Sequence, residues 1–268
     1  MDYKDIAKNI RKKVIKMAFD SQEGHIGSNL SPVEILVCLY FKILKIDHQK
    51  PLEINRDRFI LSKGHAVSVL YAVLSQAKFF SDDTLKDFCK NGCKLASHST
   101  KGAVPGIEVS TGSLGHGLPM ATGIALAGKM DRKDYRTFVL MSDGECQEGS
   151  NWEAALFAGN HKLDNLVAII DYNKIQALGR TEDVSDLEPF KDKWESFGWG
   201  VKVIDGHSFK ELEKTFLSVP IKNGKPSVII CNTVKGRGVS FMEDRLEWHY
   251  NHLSKEEFEK AIKEIESK

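Results

Sequence analysis

The residues best suited to chemistry lie in the segment 142–154, which reads SDGECQEGSNWEA. Asp143 directly follows an apolar run, and Gly144 allows a tight turn with close backbone approach. Asn173 follows the next apolar run, thirty residues after Asp143. The further carboxylates of the segment are Glu145, Glu148 and Glu153. An aspartate oxygen, an asparagine carbonyl oxygen and a free loop carbonyl together predict a hard-oxygen site for Mg²⁺ or Ca²⁺.

A glycine-rich run, VSTGSLGHGL at residues 109–118, precedes a helix of small residues predicted at 119–129. Glycines ahead of a helix expose backbone N–H groups, which can bind an anion or let a flat ligand approach. The spacing matches neither the phosphate-binding GxxxxGK[ST] pattern nor GxGxxG. From the residues alone, this run is therefore either a ligand-binding loop or an ordinary loop-to-helix connection.

Histidines beside glycine or serine form a third group of candidates: His25, His65, His98 and His116, with His249 near the C-terminus. Such side chains can bind phosphate or hydroxyl oxygens and transfer protons near neutral pH. The remaining histidines show no such pattern and are predicted to be incidental: His48, His161, His207 and His252.

The elements that must position these residues alternate between short strands and helices. Apolar, β-branched runs predict strands at residues 58–61, 137–141, 166–170, 201–204 and 227–231. Helical patterns are predicted at residues 66–77, 119–129, 150–161, 186–197 and 208–219. This alternation predicts an α/β fold, a doubly wound parallel sheet with helices on both faces and ligands at the carboxyl ends of the strands. We expect one domain over residues 1–268, with a C-terminal extension from about residue 232.

The N-terminal third is predicted to be helical. Ile6, Ile10, Val14 and Met17 recur at helical spacing and predict an amphipathic first helix. The sequence Ser-Pro-Val-Glu at residues 31–34 predicts a capping box that opens a helix to about residue 44. A second capping box is predicted at the start of the 208–219 helix.

Composition narrows the class of protein. The 268 residues carry 38 Lys+Arg against 37 Asp+Glu, and this net charge of +1 argues against nucleic-acid binding. No stretch reads as the ~18 apolar residues of a membrane span, and the polar N-terminus is no signal peptide, so we expect a soluble, cytoplasmic protein. The five cysteines include no CxxC pair and predict no disulfide framework. Cys89, Cys93 and His98 could form a metal site only with a fourth ligand.

Six segments in order resemble the thiamine diphosphate-binding N-terminal part of transketolase. They are GHIGSNLSPVEIL (24–36), LSKGHAVSVLYAVL (61–74), SHSTKGAVPGIEVSTGSLGHGL (97–118), SDGECQEGSNWEA (142–154), LVAIIDYNKI (166–175) and KGRGVSFMEDRLEWH (235–249). One such motif would be weak, but six in family order over nearly the whole chain are specific.

The resemblance implies roles for particular residues. The metal ligands implied are Asp143, Asn173 and the main-chain carbonyl of Ile175. The cofactor-binding residues implied are His65, Gly112, Ser113, Leu114, Gly144, Glu145, Glu148, Asn173 and His249. The implied catalytic residues, which orient the hydroxyls of the donor sugar and relay protons, are His25, His98 and His249. Glu148 also resembles a glutamate that is buried in the family's subunit interface.

The chain departs from the family pattern in three places. Ser142 replaces the first glycine of Gly-Asp-Gly, and His116 replaces a common glutamine, so the role of His116 is open. The chain also stops after the diphosphate-binding domain, whereas transketolase has a second domain that protonates the cofactor's pyrimidine ring. The resemblance therefore implies an N-terminal subunit of a split transketolase. It would be inactive unless a C-terminal, pyrimidine-binding subunit joins it in an α₂β₂ assembly.

The implied reaction is transfer of a two-carbon ketol unit from a ketose phosphate to an aldose phosphate, as in the pentose phosphate pathway. A two-chain enzyme of the 2-oxo acid decarboxylating type is an alternative, and a deoxyxylulose phosphate synthase is a weaker one. A non-catalytic binding subunit is also left open. A nicotinamide-dependent dehydrogenase is disfavoured, because GxGxxG is missing after the first strand.

Overall fold

The strands of the computed structural model, which describes residues 2–268, include every strand predicted from the apolar runs. In chain order they are β1 (Arg58–Leu61), β2 (Thr137–Ser142), β3 (Leu166–Tyr172), β4 (Ile175–Gln176), β5 (Gly179–Arg180), β6 (Gly200–Asp205) and β7 (Ser227–Asn232). Five of them form one parallel sheet in the order β1-β2-β3-β7-β6, while β4 and β5 form a small antiparallel pair. The predicted parallel sheet is therefore confirmed.

The helices lie before the first of these strands, between them and after the last one. They are α1 (Tyr3–Ser21), α2 (Ile26–Leu30), α3 (Val33–Cys38), α4 (Val67–Gln76), α5 (Gly117–Met130), α6 (Gly149–Asn160), α7 (Thr181–Val184), α8 (Phe190–Ser196), α9 (Phe209–Leu217) and α10 (Lys255–Ser267). A π-helical turn extends α3 over Leu39–Ile43. Short 3₁₀ turns cover Gly64–Ala66, Asp82–Asp87, Gly144–Gln147 and Leu246–His249.

Apolar side chains cover both faces of the sheet, as a doubly wound fold requires. In β2, Phe138 and Leu140 join one hydrophobic core, whereas Val139 and Met141 join the other. Helices α1–α4, α9 and α10 contribute to the first core, and α5, α6 and α8 contribute to the second. Because both faces are buried, the central strands are apolar throughout, which is why the sequence identified them so readily.

The predicted capping box at residues 31–34 is wrong. Pro32 precedes α3 without a side-chain cap, and the Ser31 hydroxyl instead donates to the Asp171 carboxylate at 2.6 Å. Glu34 binds Arg11 rather than a helix N-terminus. Charged partners from distant parts of the chain therefore bind both side chains, and the local capping box does not form. The helix predicted from there to about residue 44 is formed by α3 and the π-helical turn that continues it to Ile43, while α2 lies before it.

The same helical region is long and apolar enough, by composition, to cross a membrane. Its window Ile26–Ile43 has a mean hydropathy of 1.3, which the sequence-based expectation of no such stretch overlooked. Within the fold, 89% of this window is buried, as in the core helices of folded domains.

Two later helices test the remaining local predictions. Ser208 caps α9, because its hydroxyl accepts a hydrogen bond from the Glu211 N–H at 3.3 Å. The predicted capping box is only half formed, since the Glu211 carboxylate accepts from the Asp205 N–H at 3.1 Å instead of the Ser208 N–H. The helix predicted at 186–197 begins only at Phe190, directly after Pro189, so that prediction began four residues early. Beyond β7, the chain turns back and ends in α10, which packs against α1.

Candidate active site

A cavity of about 340 Å³ lies beyond the carboxyl ends of β1, β2 and β3, where a doubly wound sheet binds its ligands. Its lining combines residues from the loops after these strands with residues around α2 and residues that follow β7. Those that carry functional groups are His25, Ser28, Lys63, His65, His98, Ser142, Asp143, Glu145, Gln147, Glu148, Asn173, Gln176, Lys235 and His249.

Asp143 and Asn173 emerge side by side, because β2 and β3 are paired with Ser142 opposite Asp171. The Asp143 carboxylate is buried, and it accepts hydrogen bonds from the Gly144 N–H at 2.8 Å and the Lys174 N–H at 2.5 Å. The Asn173 side-chain oxygen accepts from the Ile175 N–H at 3.2 Å. The structure thus brings the three predicted metal-binding residues to one edge of the cavity.

Burial raises the pKa of Asp143 to about 6. The hydrogen bond from the Gly144 N–H opposes this shift, whereas the nearby Asp171 carboxylate adds to it. A raised pKa means that the surroundings of a buried carboxylate provide too little positive charge to stabilise its ionised form. A divalent cation at this edge would supply that charge, and carboxylate, amide and carbonyl oxygens are suitable ligands for Mg²⁺.

Lys235 is a functional residue that the sequence analysis quoted within a motif but gave no role. Its ammonium is buried in the cavity wall, where it donates to the Ile175 carbonyl at 3.0 Å and lies 2.9 Å from His249 Nδ1. Burial, with the neighbouring charge of Lys63, lowers its pKa to about 7. Its position after β7, at the same sheet edge as Asp143, was the signal that could have identified it.

Lys63 and Asp171 form a second pair whose role the sequence analysis missed. Both side chains are fully buried, and the ammonium of Lys63 contacts the carboxylate of Asp171 directly. Asp171 also accepts from the hydroxyls of Ser31 and Thr233. Burial opposes ionisation of Asp171, but Lys63 outweighs it and lowers the pKa of the carboxyl. This pair joins β1, β3 and the N-terminal helices directly beneath the cavity.

Four of the predicted histidines surround the same space, although they come from four distant parts of the chain. The His25 ring centroid lies 5.1 Å from that of His65, 6.0 Å from His249 and 6.5 Å from His98. Glu23 accepts from His25 Nδ1 at 2.8 Å, so the other ring nitrogen of His25 is free to face a ligand.

Burial sets the protonation of this cluster. Burial and the charge of Lys63 lower the pKa of His65 well below its usual value, and burial with Lys235 lowers the pKa of His249 to about 3. Burial also lowers the pKa of His98. These imidazoles are therefore neutral hydrogen-bonding groups near pH 7.

Part of the glycine-rich run forms a wall of the cavity and packs against the segment that follows Asp143. Gly112 and Leu114 line the cavity, and a Cβ atom on Gly112 would lie 2.7 Å from the His98 ring, so a side chain there would displace His98. Glu145 is fully buried behind the run, where it accepts from the Gly115 N–H at 3.0 Å and from the Ser62 hydroxyl. Glu145 therefore fastens the glycine-rich run to the sheet, and it also lines the cavity.

Several predicted site residues lie at the rim of the cavity or outside it. Ser113 and His116 are exposed on the glycine-rich run, and neither lines the cavity. Glu148 is exposed at the cavity rim at the start of α6. Cys89 is exposed, and the Cys93 thiol donates to the Leu95 carbonyl. Within residues 2–268, no group of three or more His, Cys, Asp or Glu side chains could hold a metal, so the suggested Cys89, Cys93 and His98 site is not formed.

Two more features of the cavity suit an anion bound together with a cation. The Gln176 Nε2 donor is buried without a protein partner and lines the cavity, where a ligand oxygen could accept its hydrogen bond. Lys235 provides a buried ammonium that lines the cavity together with Asp143 and Asn173 and donates to the Ile175 carbonyl. The cavity thus combines oxygen ligands that could bind a cation with hydrogen-bond donors that could bind an anion, at the edge of a doubly wound sheet.

Comparison with known proteins identifies the family. Residues 3–266 match the family described as transketolase, thiamine diphosphate binding domain. The chain is 46% identical over 258 residues to one subunit of the apulose-4-phosphate transketolase of Phocaeicola vulgatus, covering 95% of this chain and 90% of that protein. It is 41% identical over 266 residues to a 6-deoxy-6-sulfo-D-fructose transketolase subunit from a Clostridium species, covering 99% and 97%.

Solved structures agree with these relatives. Transketolase from Campylobacter jejuni superposes with a TM-score of 0.92 at 30% identity, over 99% of this chain. The chain spans only 43% of the length of that enzyme. The chain therefore belongs to the transketolase family, through its thiamine diphosphate-binding domain. Both the predicted fold and the predicted N-terminal, thiamine diphosphate-binding subunit of a transketolase are confirmed.

Proposed function

We propose that this chain is the diphosphate-binding subunit of a two-chain transketolase that transfers a two-carbon ketol unit between sugar phosphates. The observation that carries the proposal is the convergence of His25, His65, His98 and His249 on one cavity beside the Asp143 edge. A polyol donor has several hydroxyls to orient, and several neutral imidazoles at fixed positions can do this. A 2-oxo acid offers no comparable set of hydroxyls.

Thiamine diphosphate, when bound, supplies the carbon nucleophile and the electron sink of such a reaction. Asp143, the Asn173 side-chain oxygen and the Ile175 carbonyl would bind the Mg²⁺ or Ca²⁺ that neutralises the diphosphate. The Lys235 ammonium, with His65, His249 and the Gln176 amide, would donate hydrogen bonds to phosphate oxygens.

In this proposal His25 and His98 bind the sugar. His25 is oriented by Glu23 at 2.8 Å, so it would present a defined nitrogen to a donor hydroxyl. His98 lies 6.5 Å from His25 between ring centroids, a separation that fits neighbouring hydroxyls of one sugar chain. Both residues would bind and orient hydroxyls and pass protons to and from them.

A partner chain would complete the site. Helices α5 and α6 contact each other, and α6 begins directly after Glu148 on the cavity rim. Both present apolar side chains to solvent, including Met130, Leu156 and Phe157 at 75%, 59% and 42% exposure. An apolar face on two adjacent helices is suited to a protein–protein interface. We place the C-terminal, pyrimidine-binding subunit on this face, where it would cover Glu148, and we expect an α₂β₂ assembly in the cytoplasm.

Calorimetry with thiamine diphosphate and Mg²⁺ tests the cofactor and partner assignments together. The chain alone should bind weakly, and addition of a pyrimidine-binding subunit encoded beside it should give tight, metal-dependent binding. Asp143→Ala should abolish the metal dependence, whereas Glu153→Ala, at an exposed position on α6, serves as the control. Equal, tight binding with and without the second subunit would contradict the proposal.

Coupled assays of the reconstituted enzyme test the reaction. Donors should include xylulose 5-phosphate and the compounds named for the relatives, apulose 4-phosphate and 6-deoxy-6-sulfo-D-fructose. Transfer from at least one sugar donor is expected. Turnover of pyruvate alone would favour the decarboxylating alternative, and binding without any turnover would favour a non-catalytic subunit.

A further inference from the structure

A buried hydrogen-bonded network joins three elements on the side of Lys235 away from the cavity. Arg11 of α1 donates from Nη2 to Glu34 Oε2 on α3 at 2.9 Å and forms an ion pair with Oε1 at 2.7 Å. His207, in the turn between β6 and α9, donates from Nδ1 to the same carboxylate at 3.0 Å. The three side chains are only 9–12% exposed. His207, which was predicted to be incidental, is thus held in a buried hydrogen-bonded network.

The network binds the backbone on both sides of Lys235. The Val234 N–H donates to His207 Nε2 at 2.9 Å, and Arg11 Nε donates to the Arg237 carbonyl at 2.9 Å. A backbone N–H can only donate, so His207 Nε2 must be an unprotonated acceptor and the ring proton lies on Nδ1. Glu34 fixes that tautomer by accepting from Nδ1.

We propose that Arg11, Glu34 and His207 are positioning residues that fix the Lys235 ammonium in the cavity. A lysine side chain has four rotatable bonds, so its ammonium is placed only if its backbone is held and its terminal partners are present. The terminal partners are the Ile175 carbonyl and His249, and the backbone is held by the network at Val234 and Arg237. A Cβ atom on Gly238 would lie 2.6 Å from Arg11 Nε, so the loop follows this path only with glycine there.

The inference rests on the proposed function only for the identity of the anion that Lys235 binds. The claim that His207 holds the backbone of residues 234–238 (the Lys235 segment) in place can be tested on the chain without any cofactor. A network that served only to stabilise the fold would not distinguish between the two ring nitrogens of His207.

Two substitutions separate the two nitrogens. His207→Asn keeps an amide near the position of Nδ1, which can still donate to Glu34, but it cannot reach Val234. His207→Gln places a carbonyl oxygen near the position of Nε2, which can still accept from the Val234 N–H. Both variants lose the imidazole ring. Ser208→Ala is a control for local destabilisation, because it removes the cap of α9 next to His207 and leaves the network intact.

Hydrogen exchange by mass spectrometry on the cofactor-free chain gives the first readout. We expect His207→Asn to speed amide exchange in the Lys235 segment roughly three- to tenfold, as loss of one hydrogen bond predicts. His207→Gln and Ser208→Ala should leave exchange in that segment within about twofold of wild type. Equal acceleration in the Asn and Gln variants, or none in the Asn variant, would overturn the proposal.

Calorimetry with thiamine diphosphate and Mg²⁺ on the two-chain complex gives the second readout. His207→Asn should weaken binding roughly tenfold, and Lys235→Met should weaken it by at least as much, since a charge-assisted hydrogen bond is lost. His207→Gln should bind like wild type. If the wild-type complex binds no thiamine diphosphate, the proposed function fails, and the exchange experiment still decides the role of the network.

Discussion

The buried Lys63–Asp171 pair should be essential to the fold beneath the site, and a double-mutant cycle can measure this. Both side chains are at most 1% exposed, so neither charge has access to water. Breaking such a pair by removing one partner costs about 3–5 kcal/mol, because the remaining charge stays buried and uncompensated. We therefore expect Lys63→Met to lower the free energy of unfolding by about 3 kcal/mol.

Asp171→Asn should cost more than Lys63→Met. Without the Asp171 carboxylate, the ammonium of Lys63 loses its ion-pair partner, and the nearby buried Lys235 repels it. Lys63→Met leaves Asp171 with the two hydroxyls of Ser31 and Thr233 and with the attraction of Lys235. We expect a loss of about 4–5 kcal/mol for Asp171→Asn, near the upper end for a broken buried pair.

The double variant, Lys63→Met with Asp171→Asn, should be more stable than Asp171→Asn alone, because no unpaired charge remains. Its cost should fall at least about 2 kcal/mol below the sum of the single costs. Urea unfolding followed by tryptophan fluorescence measures all four proteins. Additivity within about 0.5 kcal/mol would refute the reasoning. If Asp171→Asn does not fold, folding of the double variant is itself the expected rescue, and its failure to fold would count against the pair.

Three further predictions concern the walls of the site and the response to acid. Glu145→Ala should cost about 3–5 kcal/mol in urea unfolding, because it leaves buried donors such as the Gly115 N–H without their acceptor, and unchanged stability would contradict this role. Gly117→Ala should lower the thermal midpoint, since its Cβ would overlap the Ser62 side chain, whereas Gly123→Ala, with no neighbour within 4 Å, should raise stability by about 0.5–1 kcal/mol. Burial opposes ionisation of Glu34, but Arg11 and His207 outweigh this effect and lower the pKa of the Glu34 carboxyl. The ionised Glu34 therefore contributes to the stability of the fold above about pH 4.5, and this contribution is lost as the pH falls further. The stability difference between wild type and Glu34→Gln should therefore shrink in urea titrations below that pH, and a constant difference would argue against the ion pair.

Prediction from sequence succeeded where one physical signal dominated. The central strands are apolar because both sheet faces are covered, so their positions could be predicted nearly to the residue. Asp143 and Asn173 could be placed together because paired parallel strands bring their carboxyl ends to one edge. The histidines were recognised as a group by their loop settings and by the family resemblance, not by any spacing in the sequence.

Prediction failed where distant partners decided the outcome. Ser31 and Glu34 have the sequence of a capping box, yet Asp171 and Arg11 bind them instead. His207 has no local motif, and its role depends on Glu34, which lies 173 residues away. Such long-range partners leave no periodic signal, because each is brought into contact only by the packing of α1, α3 and the sheet.

The charges around the cavity explain why metal, cofactor and partner chain should depend on one another. The buried carboxylates are Asp143, Glu145 and Asp171, the buried ammoniums are Lys63 and Lys235, and three of the four cavity histidines are held neutral by burial. Because the buried carboxylates outnumber the buried ammoniums, a cation at the Asp143 edge is favoured, and binding of a diphosphate without a metal ion is disfavoured. A bound divalent ion reverses the balance, so that Lys235 and the metal together attract phosphate oxygens. Exclusion of water by the partner chain would then strengthen every one of these interactions. An overall net charge of +1 therefore does not prevent the binding of an anionic ligand, because the attraction would be local and would come from a few buried groups whose positions the packing fixes.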